Sequence, residues 1–313
     1  MTLSLEQLSA RMRQGEDIPL SDTARIALAL SIPSILEQLV VTAMEYIDAA
    51  MVGQLGRDAS AAIGLVASST WLFGGLCRAL VVGFSVMVAQ RIGAGEEKDA
   101  RNLVKQGLCA GFAFGLLIAA VGGTIASGLP HWLHADSSIC PGASSYFLIF
   151  ALSLPFVQLN RLAVGLLQAG GNMRTPSILL VLMCGLDVVF NSLLIFPTRQ
   201  LGAFTLPGAD LGVTGAALGT ALGTALGTAL SETVVAIILC ICLLRSPMLG
   251  LRKGERLRFV PVQLRRAVRL GAPVAIEQAV MSSAQVVTTR IIAPLGTVAI
   301  AANSFAVTAE ALC

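Results

Sequence analysis

Charge is scarce in this chain. Asp, Glu, Lys and Arg together make up 12% of its 313 residues, against about 25% in an ordinary soluble domain, so a solvated globular surface is excluded. Histidine is scarcer still. His131 and His134, one turn apart, are the only two, and with no third His or nearby Cys they do not complete a zinc site. The seven cysteines lie singly, none in a CxxC pair. Five of them fall in apolar runs, where a free thiol behaves as a small hydrophobe. No convergent set of His, Cys and Asp near an interface marks an enzyme, and no cofactor or resident metal is expected. Gly93-Ala94-Gly95 follows no strand and precedes no Lys-Ser/Thr, so it reads as a turn and not as a phosphate loop. The first twenty residues are polar and lack an apolar core with a small-residue cleavage site, unlike a secretory signal. With a net charge of only +3, no nucleic-acid partner is expected.

What the chain has instead is apolar length. Hydrophobic residues are 55% of the total and the mean hydropathy is +0.80. Crossing roughly 30 Å of hydrocarbon takes about 20 apolar residues in a helix. Such runs fall near 28–52, 61–88, 103–127, 144–168, 177–197, 213–244 and 268–292, and an eighth starts near 297. None shows the period-2 alternation of a barrel strand, and lipid offers no partner to an open backbone, so all are expected to be helices. The lipid bilayer is the first expected partner.

Basic residues set the orientation. Arg11, Arg13 and Arg25 precede the first run; Arg91, Lys98, Arg101 and Lys105 follow the second; Arg174 follows the fourth; and seven basic residues from Arg245 to Arg266 follow the sixth. The opposite side carries little beyond Arg57 and Arg199. The amino terminus is therefore expected in the cytoplasm of a plasma-membrane protein, a bacterial inner membrane being the natural setting. Positive-inside charge is the simple reading of the loop around 245–269, and contact with anionic headgroups is the further one. Pro247, Gly250, Gly254 and Pro261 are expected to keep that loop from forming a long helix.

The chain also repeats itself. Pro33-Ser34-Ile35-Leu36-Glu37-Gln38 faces Pro273-Val274-Ala275-Ile276-Glu277-Gln278, and Leu55-Gly56, Ala59, Ala61 and Ala62 face Leu295-Gly296, Ala299, Ala301 and Ala302. Repeated hydrophobic segments in register are the mark of a two-lobed secondary transporter with its sites within or between the lobes. The expected organisation is a cytoplasmic segment 1–27, a complete six-helix lobe 28–244, a basic cytoplasmic linker 245–267, and the start of a second lobe at 268–313. Six spans per repeat give two parallel lobes, and near-equal lobes would need about 140 to 170 residues more.

Ionisable residues inside the runs are costly, roughly 2.5–3.5 kcal/mol each at mid-membrane on insertion scales, and are functional candidates by default. They are Glu37, Glu45 and Asp48 in the first run, Arg78 in the second, Arg161 in the fourth, Asp187 in the fifth, Glu232 in the sixth, and Glu277 and Arg290 in the seventh. At 100° per residue, Glu37, Glu45 and Asp48 share one face within about a quarter-turn. Glu37 and Glu277 are repeat-equivalent, which suggests a shared structural role, whereas the equivalent of Asp48 is Thr288. Asp187 and Asn191 are one turn apart and offer an acid and an amide to a hard cation or a proton relay. Gly212, Gly215, Gly219, Gly223 and Gly227 form a small-residue stripe that suits close helix packing.

These residues sit in segments that closely resemble the multidrug and toxic compound extrusion (MATE) family. The segments are Pro33 with Asp48-Ala49-Ala50-Met51-Val52-Gly53-Gln54-Leu55-Gly56, then Val88 to Gly95, Gly165 to Pro176, Asn191 to Phe196, and Gly212 to Ala217, in the family's order. The resemblance implies a twelve-helix, two-lobed exporter of small organic, amphipathic cationic compounds, driven by inward H⁺ or Na⁺ and expected to be a monomer at full length. By motif, the family's amino-terminal cation site falls on Asp48, Asp187, Asn191 and Thr220. The family's Asn-x-x-x-Asp order is reversed here to Asp187-x-x-x-Asn191, and a Glu that some branches place on helix seven is Met281. Glu37, Glu45 and Glu277 are secondary candidates. In the expected mechanism, neutralising Asp48 lets the first helix bend and reshapes the cavity. The alternatives are a lipid-linked saccharide flippase of the wider superfamily, whose headgroup would need a cationic cavity and finds only Arg78, Arg161 and Arg290, or a non-transporting fragment.

Overall fold

The computed structural model describes residues 19–54, 57–195, 197–201, 204–209, 218–246, 248–250 and 259–310. For some residues inside helices, Glu37 and Thr220 among them, only the backbone is described. The fold is an all-α polytopic membrane architecture. Its elements are α1 (Leu20–Gly53), α2 (Arg57–Gly93), α3 (Glu97–Ile125), the single turn α4 (Leu129–Trp132), α5 (Cys140–Ala169), α6 (Arg174–Ile195), α7 (Leu218–Arg245), α8 (Pro261–Ile292), a 3₁₀ turn at Ala293–Leu295, and α9 (Thr297–Glu310). A short antiparallel hairpin that the apolar pattern does not suggest, β1 (Pro197–Leu201) with β2 (Phe204–Ala209), stands between α6 and α7.

Five of these helices, α2, α3, α5, α6 and α7, are long and apolar enough to cross a membrane. α1 and α8 have the length, 34 and 32 residues, and α8 falls short on apolarity. α8 is diluted by polar positions such as Glu277, Gln278 and Gln285. Helix α8 also starts inside the stretch expected to be linker. Pro261 occupies its first turn, where proline lacks only an amide that would have no helical partner anyway, so it initiates the helix and does not break it.

α3 shows how the helices pack. Gly107, Gly111, Gly115, Ala119 and Gly122 line its buried face, while Phe112, Leu116, Leu117 and Val121 point outward. In lipid, large apolar side chains gain nothing from turning inward, and small ones let backbones approach. Gly115 lies against the backbone of Pro155 in α5. The inner faces fill two apolar clusters. One surrounds Phe73 and Phe147, whose rings meet edge to face with centroids 5.5 Å apart; the other surrounds Phe84, Leu103, Leu162 and Leu239.

Turns at the basic end are closed by the same device twice. After α2, the Gly95 N–H donates to the Ile92 carbonyl and the Glu96 N–H to that of Arg91. After α5, Gly171 and Asn172 donate to Gln168 and Leu167 in the same pattern. Gly95 and Gly171 have φ of 75° and 82°, which favours glycine at this C-terminal position. Asn172 then caps α6, its Oδ1 accepting from the Thr175 N–H at 3.1 Å. Thus the Gly-Gly-Asn-x-x-Thr segment is a helix stop followed by a helix start. At the other end, Asp136 Oδ1 accepts the Ser138 N–H at 3.0 Å, and this bond holds its carboxyl below the usual carboxylate range.

α2 is the hub, packed against α3, α5, α8 and α9. Its contact with α8 is backbone on backbone: a Cβ on Gly83 would stand 2.2 Å from the Ala267 carbonyl oxygen, and one on Gly271 would stand 2.1 Å from that of Ala79. Gln106 of α3 adds a hydrogen bond of 2.9 Å to the Val260 carbonyl, just before α8. Gly83→Val should therefore destabilise the protein by about 1–3 kcal/mol, read as a lower thermal midpoint in detergent. Gly93→Val, where a Cβ meets nothing within 4 Å, should leave the midpoint near the parent value.

Candidate functional site

Asp187 and Asn191 stand one turn apart on α6, between α1 and α7, and both are completely buried. The Asn191 side-chain amide is the bridge. Its Nδ2 donates to Asp48 Oδ1 of α1 at 3.2 Å and to Asp187 Oδ2 at 3.0 Å. From α7, the Ser231 hydroxyl lies 3.2 Å from Asp187 Oδ1 and 2.9 Å from the Thr228 carbonyl. Gly227, one turn earlier on α7, makes room for Asn191, since a Cβ there would fall 2.1 Å from Asn191 Oδ1. Three helices that share no sequence neighbourhood thus converge on one amide.

The cluster is rich in acceptors and poor in positive charge. Two carboxyls share one NH₂ group, and the Asn191 Oδ1 has no hydrogen-bond partner in the structure. The ion pairs of Arg91 and Arg101 lie elsewhere. Two adjacent buried carboxylates without a cation are strongly disfavoured. The orphan amide oxygen, the two carboxyls and Ser231 Oγ form an all-oxygen donor set that suits a proton or a hard monovalent cation. Among the described residues, no three His, Cys, Asp or Glu side chains converge as a metal site.

Asp48 is half-buried because it also faces a cavity of about 210 Å³, lined by Glu45, Trp71, Tyr146, Thr224, Phe305 and others. A second cavity of about 300 Å³ shares Ala67, Trp71 and Ser304 with it and continues between α2, α8 and α9 to Thr288 and Asn303. The cavities join a carboxyl-lined wall to aromatic side chains, a lining suited to an apolar ligand with a positive group.

A second polar contact lies beside this cluster, through the next residue of α7. Glu232 accepts from Asn160 Nδ2 of α5, and the same nitrogen lies 3.4 Å from the Met183 sulfur of α6. Arg161, next in sequence, donates to the Gly74 carbonyl of α2 at 2.7 Å.

With this geometry in place, comparison with known proteins identifies the family. The MatE family model matches residues 33–193, a segment that carries Asp48, Asp187 and Asn191. The chain belongs to the MatE family. A probable multidrug resistance protein NorM of Thermotoga maritima is 24% identical over 95% of this chain, and the multidrug resistance protein MdtK of Edwardsiella ictaluri is 26% identical over 92%. This MatE chain spans 60% of the length of each. Among solved structures, a single-substitution variant of the Vibrio cholerae MATE transporter VcmN superposes with a TM-score of 0.75 at 21% identity, covering 93% of this chain and 61% of that one. At that identity the likeness speaks for the fold.

Of the residues selected from this MatE sequence, the structure brings Asp48, Asp187 and Asn191 together. Glu45 is exposed on the wall of the same cavity, one turn before Asp48. Glu277 is exposed on α8, where its neighbour Gln278 faces α2 at Gly75. The side chains of Glu37 and Thr220 lie outside the described residues. Sequence reasoning passes over Ser231, the α7 residue that meets Asp187, and Asn160. An isolated hydroxyl in an apolar helix carries little signal because it can bond its own backbone. The adjacent pair Asn160-Arg161 in an apolar run is the readable clue.

Gly227→Ala should expel the Asn191 amide from its bridge and reproduce Asn191→Ala, each costing about 1–3 kcal/mol because buried carboxyls lose their donor. Ser231→Ala, removing one neutral hydroxyl, should cost about 0.5–1.5 kcal/mol. Thermal unfolding in detergent gives the ranking, and a Gly227→Ala variant as stable as the parent would contradict the bridge.

Proposed function

We propose that this chain is the amino-terminal lobe and the first helices of the second lobe of a cation-coupled secondary antiporter, which exports amphipathic organic cations by alternating access. The observation that carries this reading is the buried Asp48–Asn191–Asp187 cluster opening through Asp48 into an aromatic-lined cavity. The coupling ion, H⁺ or Na⁺, is held at the Asp48 and Asp187 carboxyls and the Asn191 Oδ1, with Thr220 as the further ligand that the family resemblance suggests. Family membership and the multidrug-resistance relatives support export; the acid-lined cavity supports a cationic substrate.

Asp48 is the switch in this scheme. It is the one member of the cluster that touches both the buried amide and the cavity. Cation uptake neutralises the shared charge, loosens the hold of Asn191 on α1, and lets α1 bend so that the cavity releases its ligand. Coupling then equals the difference in cation affinity between the two states. The ends of α2, α5 and α7 and the starts of α3, α6 and α8 carry the basic loops and belong to the cytoplasmic side of a bacterial inner membrane, with the amino terminus there too. Hydrogen bonds between Gln106 and Val260 and between Arg266 and Gln90 support a common side for three of these ends. A flippase handling a pyrophosphate headgroup fits less well, because Arg161 is engaged with the Gly74 carbonyl and, among the described residues, no arginine lines either cavity.

Extrusion of a fluorescent lipophilic cation should be followed in cells expressing this chain, the same chain extended through its downstream reading frame, and Asp48→Asn in each. Efflux that needs the extension and is lost in Asp48→Asn, with all proteins present in the membrane, is the expected result. Full efflux by the extended Asp48→Asn protein would remove Asp48 as the switch, and no efflux by the extended parent would remove drug export.

A further inference from the structure

The first turns of α8 carry a stripe that the transport reading does not use. Val262, Arg265, Arg266, Arg269 and Leu270 occupy positions i, i+3, i+4, i+7 and i+8 and line one open cleft of about 660 Å³. All five are exposed, Val262 at 74%. The opposite face of the same turns is fixed, because Ala267 and Gly271 lie against the α2 backbone at Gly83 and Ala79. Helix α8 therefore cannot roll to hide the stripe. Arg266 donates to the neutral Gln90 amide at 3.4 Å, and among the described residues no carboxylate forms an ion pair with any of the three arginines.

We propose that this stripe is a binding site for the phosphate headgroup of an anionic glycerophospholipid in the adjoining leaflet. Three guanidinium groups within two turns present forked donors that match phosphate oxygens better than point charges would. The aliphatic side chains at both ends decide between lipid and free phosphate. Val262 and Leu270 stand exposed beside the arginines, where an inorganic anion has nothing to offer them and a glycerol backbone with acyl chains covers them. The position agrees as well, since the stripe lies at the end of a membrane-embedded bundle, on the basic side, where headgroups lie and anionic lipids concentrate. A bound lipid would pin the α8 start against α2.

The test uses the purified chain in a zwitterionic detergent, with binding read by native mass spectrometry and by the thermal midpoint as lipid is added. Phosphatidylglycerol should bind and raise the midpoint, phosphatidylcholine should do so far less, and inorganic phosphate at equal concentration should not compete. The triple variant R265Q/R266Q/R269Q should bind phosphatidylglycerol about 100-fold more weakly, taking about 1 kcal/mol for each basic residue at the membrane surface. R265K/R266K/R269K should bind between the parent and the Gln variant, because it keeps the charge and loses the fork, and a lipid-free thermal midpoint of the Gln variant near the parent's shows that its loss is not misfolding. Equal binding of phosphatidylcholine by the parent, undiminished binding by a folded Gln variant, or full competition by inorganic phosphate would each overturn the proposal.

Discussion

Hydrocarbon offers no hydrogen-bond partner, and this constraint organises the whole molecule. A polar side chain inside the bundle must find its partner within the protein, a hydroxyl on its own helix backbone or a longer group on another side chain, or remain unsatisfied. The Asn191 amide is where the constraint is met most economically, because its two N–H donors reach acids on two helices at once. α1 is packed chiefly against α6, with lesser contacts to α2, α7 and α9, and Asn191–Asp48 is a polar tie across that main contact. Whatever changes the charge on Asp48 acts on the joint that holds α1.

The same constraint leaves packing to do what the hydrophobic effect does in water. Helices in lipid gain association energy from close approach, so small residues decide which pairs form. Gly83 and Gly271 bring α2 and α8 into backbone contact, and Gly227 brings α7 up to Asn191. The hub position of α2 follows. It carries the first helices of the second repeat on one face and α3 and α5 on others, so the aromatic cavity falls at a junction between repeat-related elements.

Much of the fold is legible in the sequence because its causes are local. Apolar run length marks the helices, and the return of Pro33 to Gln38 at Pro273 to Gln278 marks the symmetry. Asp48, Asp187 and Asn191 stand out as costly groups in apolar surroundings. Where expectation and structure part, the cause is also physical. Pro261 reads as a breaker, although proline is well tolerated in a helix's first turn. Ser231 escapes notice because a hydroxyl in a helix commonly bonds its own backbone, and only its distance to Asp187 shows that it also faces a partner.

Helix period, hydropathy and residue chemistry act over a few neighbouring positions. The amino-acid order alone therefore makes this a helical membrane protein with duplicated segments and a short set of buried acids. Which of those groups meet is settled only in the packed bundle. The joining of Asp48 to Asn191, the pairing of Glu232 with Asn160, and the turning of three arginines outward on α8 all depend on how helices far apart in the chain approach one another. Those approaches are set by the backbone contacts that particular glycines permit, and no single segment contains that information.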